Sequence, residues 1–250
     1  MKRRKFLYAG ALGASGMAIG KSHLQQDQQR SLIEWRTYRV KFGGNLSSLQ
    51  QYLSEVYRPA LLKKGVKGFQ MMRDHGQEEP VNLYVLIEYP TAEVYLQSQL
   101  LNHDANFLKS GEDYHQRTSE QTIYNRFESW LLSGFEGMPT VASIASEHQF
   151  FELRTYEGYS EDAVRRKILM FNKEEIDLFL DVKLNPVFFG EMIAGPYRPC
   201  LTYMLQFKDL AERDANWKTF IDHPEWKRMV ALPEYANTVS NIRKNFLIRA

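Results

Sequence analysis

Residues 34–38 read Glu-Trp-Arg-Thr-Tyr, and residues 152–156 read Glu-Leu-Arg-Thr-Tyr. A near-identity at that distance divides a 250-residue chain into two copies of one smaller unit. Each copy, of roughly 100 residues, is long enough to bury a core of its own. A content of 44% hydrophobic and 13% aromatic residues fits two globular units and excludes a largely disordered chain.

The patterning around the two pentapeptides follows one order. The first copy opens with a strand-like run over 33–40. Leu46, Leu49, Leu53, Val56 and Leu61 then recur at helical spacing until Gly65. Residues 66–73 and 83–89 predict two strands around a hairpin loop at His75 to Pro80. Thr91 is placed to cap a second helix that runs to about Lys109 and ends at Gly111, and residues 122–132 close the unit.

The second copy repeats this with a strand over 150–156 and a helix capped by Ser160. Val164, Ile168, Phe171, Ile176 and Phe179 share that helix's apolar face. Strands over 185–193 and 201–207 flank a turn at 195–199. Asp209 with Glu212 then resembles a capping box, and a last strand covers 242–248.

The order βαββαβ is the ferredoxin-like split motif, a sheet with helices on one face. The expected fold is therefore α+β, with tandem ferredoxin-like units whose sheets cover each other as a dimeric α/β barrel. Pairing of each copy with a second chain is the alternative; the short linker favours pairing within the chain. The implied divisions are a leader and polar linker at 1–30, a first domain at 31–132, a linker at 133–147 and a second domain at 148–250.

The leader predicts export. Lys2-Arg3-Arg4-Lys5 precedes a mildly apolar, Gly- and Ala-rich stretch from Tyr8 to Gly20, the pattern of a bacterial Tat signal. That stretch is too short to span a bilayer. The expected partner during export is the Tat translocase, and the expected location is the periplasm of a Gram-negative cell. Lys2, Arg3, Arg4, Lys5, Lys21 and Arg30 stand against Asp27 alone, so the formal charge of +2 belongs to the leader and the body is slightly acidic. No nucleic-acid partner is implied. Cys200 is the only cysteine, which excludes an internal disulfide and a multi-cysteine metal site within one chain.

Alternation along a strand puts Glu152, Arg154 and Tyr156 on one face, as it does Glu34, Arg36 and Tyr38. With the apolar alternates under the helices, these triplets are expected on the sheet–sheet side. There they either line a small cavity that binds an anionic or phenolic ligand through Arg, or form an ion pair that fixes how the sheets mate. His223-Pro224-Glu225-Trp226 is a second candidate: a histidine near Trp217 and Trp226 can ligate haem or handle a proton, or it simply caps a helix that Pro224 begins. No Gly-rich phosphate loop or nucleophile elbow is present, and no two histidines stand four residues apart as in a helical zinc pair. Catalytic residues are not identified, no metal site is expected, and no cofactor is implied.

Glu152-Leu153-Arg154-Thr155-Tyr156, Phe189-Gly190-Glu191, Leu201-Thr202-Tyr203, Arg213-Asp214-Ala215-Asn216-Trp217, Phe220 and His223-Pro224-Glu225-Trp226 together resemble the NIPSNAP family. The resemblance covers residues 150–250 strongly and 32–131 weakly. It implies a dimeric α/β barrel but supplies no reaction. The primary expectation is thus an exported, non-catalytic module that binds a small molecule or a protein and forms a homo-oligomer, with any site sought first in the second copy. The alternative is a cofactor-free monooxygenase or haem-dependent enzyme of the same barrel class, and a purely structural subunit is a third reading.

Overall fold

The computed structural model describes residues 29–76 and 79–250. The Tat-like leader and most of the polar stretch after it therefore lie outside the described residues, as do Gln77 and Glu78 of the first hairpin loop. Among the described residues, no helix is long and apolar enough to cross a membrane.

The first half contains β1 (Leu32–Val40), α1 (Leu46–Tyr52), α2 (Arg58–Lys63), β2 (Gly68–Asp74) and β3 (Asn82–Tyr89). It continues with α3 (Ala92–Gln99), α4 (Ala105–Ser110), α5 (Glu112–His115) and β4 (Tyr124–Gly134). The second half contains β5 (Phe150–Glu157), α6 (Glu161–Met170), α7 (Ile176–Asp181), β6 (Pro186–Ala194) and β7 (Cys200–Phe207). It ends with α8 (Leu210–Asp222), α9 (Pro224–Val230) and β8 (Asn241–Arg249). The expected caps form: Thr91 accepts from the Val94 N–H at 3.2 Å, Ser160 from Ala163 at 3.2 Å and Asp209 from Glu212 at 2.8 Å.

The strands close into one antiparallel barrel in the order β1-β3-β2-β8-β5-β7-β6-β4. Each half contributes four strands in the same relative order, β2-β3-β1-β4 and β6-β7-β5-β8. Two short seams join the halves. At one, Met72, Arg73 and Asp74 pair with β8; at the other, residues 131–134 pair with β6. Gly134 and Gly190 face each other in the second seam. A Cβ on Gly190 would stand 2.7 Å from the Leu132 Cβ, so the close approach there requires glycine.

Both sheet faces are buried along most strands, β4 and β8 being exposed over much of their outer face, which gives three cores. Ile33, Trp35, Leu86, Phe151, Leu153, Phe188 and Met204 fill the barrel interior. Tyr38, Leu49, Leu53, Val85 and Ile87 pack between the sheet and the first-half helices, and Tyr156, Phe171, Phe179, Tyr203 and Phe220 do the same in the second half. Burial on both faces explains why β7 is apolar or uncharged throughout and wholly buried.

The repeat extends to a local irregularity that periodicity reads straight through. A π-helical turn covers Leu53–Tyr57, and another covers Phe171–Glu175, at the interval that separates Glu34 from Glu152. Its cause is visible in the buried positions. Leu49, Leu53, Tyr57 and Leu61 are all buried at four-residue steps, as are Lys167, Phe171, Glu175 and Phe179. An α-helix advances 3.6 residues per turn, so such a series would drift around the helix; the wider i→i+5 turn keeps it facing the sheet.

The connection between the halves is a strap across one mouth of the barrel. The Val141 N–H donates to Glu88 Oε1 at 3.1 Å, and the Ala145 N–H donates to Gln206 Oε1 at 2.9 Å. Glu88 and Gln206 occupy equivalent positions of the repeat and both point into the barrel. Val141 and Ile144 pack against the interior core, so the strap seals this end.

Candidate functional site

The Glu-Arg-Tyr triplets do share a face, but it is the helix-facing one. The expectation that they meet across the sheets is therefore corrected: the barrel interior takes the alternate residues Ile33, Trp35, Phe151 and Leu153. The physical reason is that a closed barrel offers its inner wall few partners for charge, whereas the overlying helices bring donors and aromatic rings to the outer wall.

In the second half Glu152 is wholly buried and engaged from three sides. Arg154 Nε donates to its Oε1 at 2.7 Å, Arg213 Nε to its Oε2 at 2.8 Å, and the Trp217 indole N–H to Oε2 at 2.7 Å. The Arg154 guanidinium lies 3.6 Å from the centre of a Trp217 ring, a desolvated cation–π contact. Arg154 also donates to the Tyr156 hydroxyl at 3.4 Å, which receives the Tyr203 hydroxyl at 2.8 Å. Burial alone would raise the Glu152 carboxyl; the hydrogen bonds from Arg213 and Arg154 and their charge outweigh it and hold the group below its usual range.

The first half builds the same strut from different parts. Arg36 Nε donates to Glu34 at 2.9 Å, and its NH1 group reaches the Tyr57 hydroxyl at 3.1 Å and the Tyr38 hydroxyl at 3.2 Å. The Tyr89 hydroxyl donates to the other Glu34 oxygen at 2.8 Å. Burial pushes the Tyr38 phenol up to about 12 against the opposing pull of Arg36, so it remains a neutral hydroxyl.

Of the six sequence candidates, Glu152, Arg154, Tyr156 and Trp217 form this one cluster. His223 stands apart from it, at the α8–α9 junction, whereas Trp226 on α9 borders it through Lys167. His223 Nδ1 accepts the Glu225 N–H at 3.2 Å, capping α9, and Trp226 packs on Phe220 with ring centres 4.4 Å apart. Neither they nor Trp217 line the grooves described below. Among the described residues, no group of three or more His, Cys, Asp or Glu side chains is gathered as a metal site requires.

Sequence reasoning missed three members of the network. Arg213 sits one helical turn before Trp217, a spacing that places both on the face above Glu152. Lys167 and Glu175 lie on the apolar face of the π-bulged helix, where Leu49 and Tyr57 stand in the first half. The Lys167 ammonium meets the Glu175 carboxyl at 2.6 Å, is nearly inaccessible, and lies 4.6 Å from the Phe171 ring centre and 5.5 Å from that of Trp226. Burial outweighs the attraction of Lys167 and pushes the Glu175 carboxyl up.

Open space is found on the helix face of the first half. Two adjoining grooves of about 440 and 450 Å³ run between the α1–α2 segment and the α4–α5 segment. Both are lined by Glu55, Val56 and Ser110, so they form one trough along the π-turn. Its floor carries Tyr52 and Tyr114, whose rings stack at 3.6 Å and 4°.

The NIPSNAP family matches residues 151–250. No curated protein matches the chain. Among solved structures, a protein from Fusobacterium nucleatum named "putative monooxygenase" superposes with a TM-score of 0.57 at 10% identity, over 88% of this chain and 92% of its own. A protein of the same name from Lactobacillus acidophilus gives 0.53 at 12% identity, over 88% and 94%. A NIPSNAP-like domain protein from Burkholderia xenovorans is 19% identical over 42% of this chain and 87% of its own, with a TM-score of 0.38. The first two share the barrel architecture across both halves. Residues 151–250, with the Glu-Leu-Arg-Thr-Tyr strand at their start and the Trp217 helix packed over it, are the part of the chain that matches the NIPSNAP family.

Proposed function

We propose that this chain is an exported, non-catalytic module that binds a small molecule or a protein through the helix face of its first half. One observation carries the reading. The charged residues of both pentapeptides are consumed as internal struts, Glu152 by Arg154, Arg213 and Trp217, and Glu34 by Arg36 and Tyr89. The accessible relief lies instead in the trough beside the first π-turn. Such turns recur at functional sites, and stacked Tyr52 and Tyr114 offer a flat contact surface.

In this reading the halves are tandem ferredoxin-like units, divided as 31–132, a linker at 133–147 and 148–250. The repeated strand order and the duplicated π-turn support it. Export by the Tat route to the periplasm rests on the leader sequence. Homo-oligomerisation is supported by the outer faces of β4 and β8, which expose Phe127, Ile242 and Phe246.

The competing reading, oxygen chemistry without a cofactor, rests on the fold shared with the two monooxygenase-named proteins, and fold alone does not carry function. Native mass spectrometry of the protein recovered from its own cell, with an absorption spectrum, tests the proposal. A retained ligand or partner that is lost in Tyr52→Ala/Tyr114→Ala supports it. A Soret band, or dioxygen uptake with phenolic substrates, would overturn it.

A further inference from the structure

Beneath the strap lies a cavity of about 170 Å³, separate from the helix-face trough, lined by Lys67, Gly68, Gln70, Leu86, Glu88 and Ile144 among others. It is smaller than the roughly 300–1,000 Å³ of sites for drug-sized ligands. Glu88 is 7% exposed and uses only one of its two oxygens for the protein. Oε1 accepts both the Ser31 hydroxyl at 2.8 Å and the Val141 N–H at 3.1 Å. Oε2 has no hydrogen-bond partner among the described residues. It lies 3.4 Å from where a Cβ on Gly68 would stand, so glycine keeps the wall beside it open. The Gln70 side-chain amide lines the cavity and is likewise without a partner among the described residues.

Glu88 Oε2 opens onto the cavity with no protein donor, and the group that best satisfies a carboxylate oxygen there is an ammonium. Opposite charge stands in the same lining, on the exposed Lys67. Leu86 and Ile144 supply an apolar wall between the two. We propose that this cavity binds a small zwitterion of amino-acid size, with its ammonium on Glu88 Oε2, its carboxylate toward Lys67 and its side chain against Leu86 and Ile144. The site is built where the strap meets the barrel mouth and does not depend on what the trough binds. Its equivalent in the second half lacks the charge, because Gln206 replaces Glu88 and spends its amide on the strap through Ser143 and Ala145.

Calorimetric titration of the purified full chain with L-alanine and L-leucine, each beside its N-acetyl and C-amide derivative, tests this. Saturable binding of the free amino acid is expected, weakened about tenfold or more by N-acetylation and by Glu88→Gln. Amidation of the ligand and Lys67→Met should each weaken it several-fold. Glu88→Gln retains an acceptor for Ser31 and Val141, so an unchanged melting temperature certifies the strap. Should that variant melt early, Gly68→Ala narrows the cavity beside Glu88 Oε2 and should reduce binding equally. Absence of saturable binding by either amino acid, or equal binding of the N-acetyl forms, overturns the proposal.

Discussion

The Arg154 guanidinium lies 3.6 Å from the centre of a Trp217 ring, so the charge in the middle of β5 is covered by helix α8. Arg213, one turn earlier on the same helix, closes the other side of Glu152. The pentapeptide strand of the second half thereby fixes where a helix sits on the barrel. The first half holds its own helix by Tyr57 on Arg36.

Because Leu49 and Tyr57 occupy the first-half positions of Lys167 and Glu175, the sister half predicts how the buried pair can be replaced. Glu175→Gln alone leaves the Lys167 ammonium without its counter-charge and should destabilise the protein by about 3 kcal/mol. Lys167→Leu combined with Glu175→Tyr should recover most of that loss. Denaturant unfolding of Glu175→Gln and of the double variant measures it.

Acid should weaken the protein through Glu152. Its carboxyl is held low in the folded state, so its contribution is present above the ordinary carboxylate value of 4.5 and is lost as pH falls through the lower folded value. Glu175 has the opposite sign: its raised carboxyl favours the fold below the ordinary value, and that contribution is lost as pH rises through the folded value. The stability difference between wild type and Glu152→Gln should therefore shrink on acidification below about pH 4.5. Urea midpoints between pH 3 and 7 measure the trend.

Cys200 is buried, and burial with the nearby negative charge of Glu157 pushes its thiol up to about 11. It should react with a thiol reagent at pH 7.5 only as fast as the protein unfolds. Reaction rates with and without denaturant check this; a fast native reaction would place Cys200 nearer the surface than the barrel core.

Much of this architecture is legible in the sequence. Alternation and capping place each strand within a residue or two of its observed span, and the paired pentapeptides announce the duplication. The face of the triplets is not legible, because alternation says which residues lie together but not which side is the inside. In an open sheet the polar side would be the exposed one. Here Trp35 and Tyr38 are both buried, on opposite faces, and polarity no longer marks a direction. The π-turns escaped for a related reason: Val164, Ile168 and Phe171 follow ordinary helical spacing, and only the five-residue step to Ile176 betrays the wider turn. The strap site was invisible because Glu88 and Val141 meet only once the barrel has closed.

The central claim is that the Glu-Arg-Tyr strand is a strut between barrel and helix. A double-mutant cycle on Arg154→Met and Trp217→Leu, read by equilibrium unfolding, tests it most directly. The account predicts losses of about 2–4 kcal/mol for each single variant and a coupling of about 1–2 kcal/mol between them. Variants that keep wild-type stability, with no coupling, would contradict it and return Arg154 to the list of residues held for a ligand.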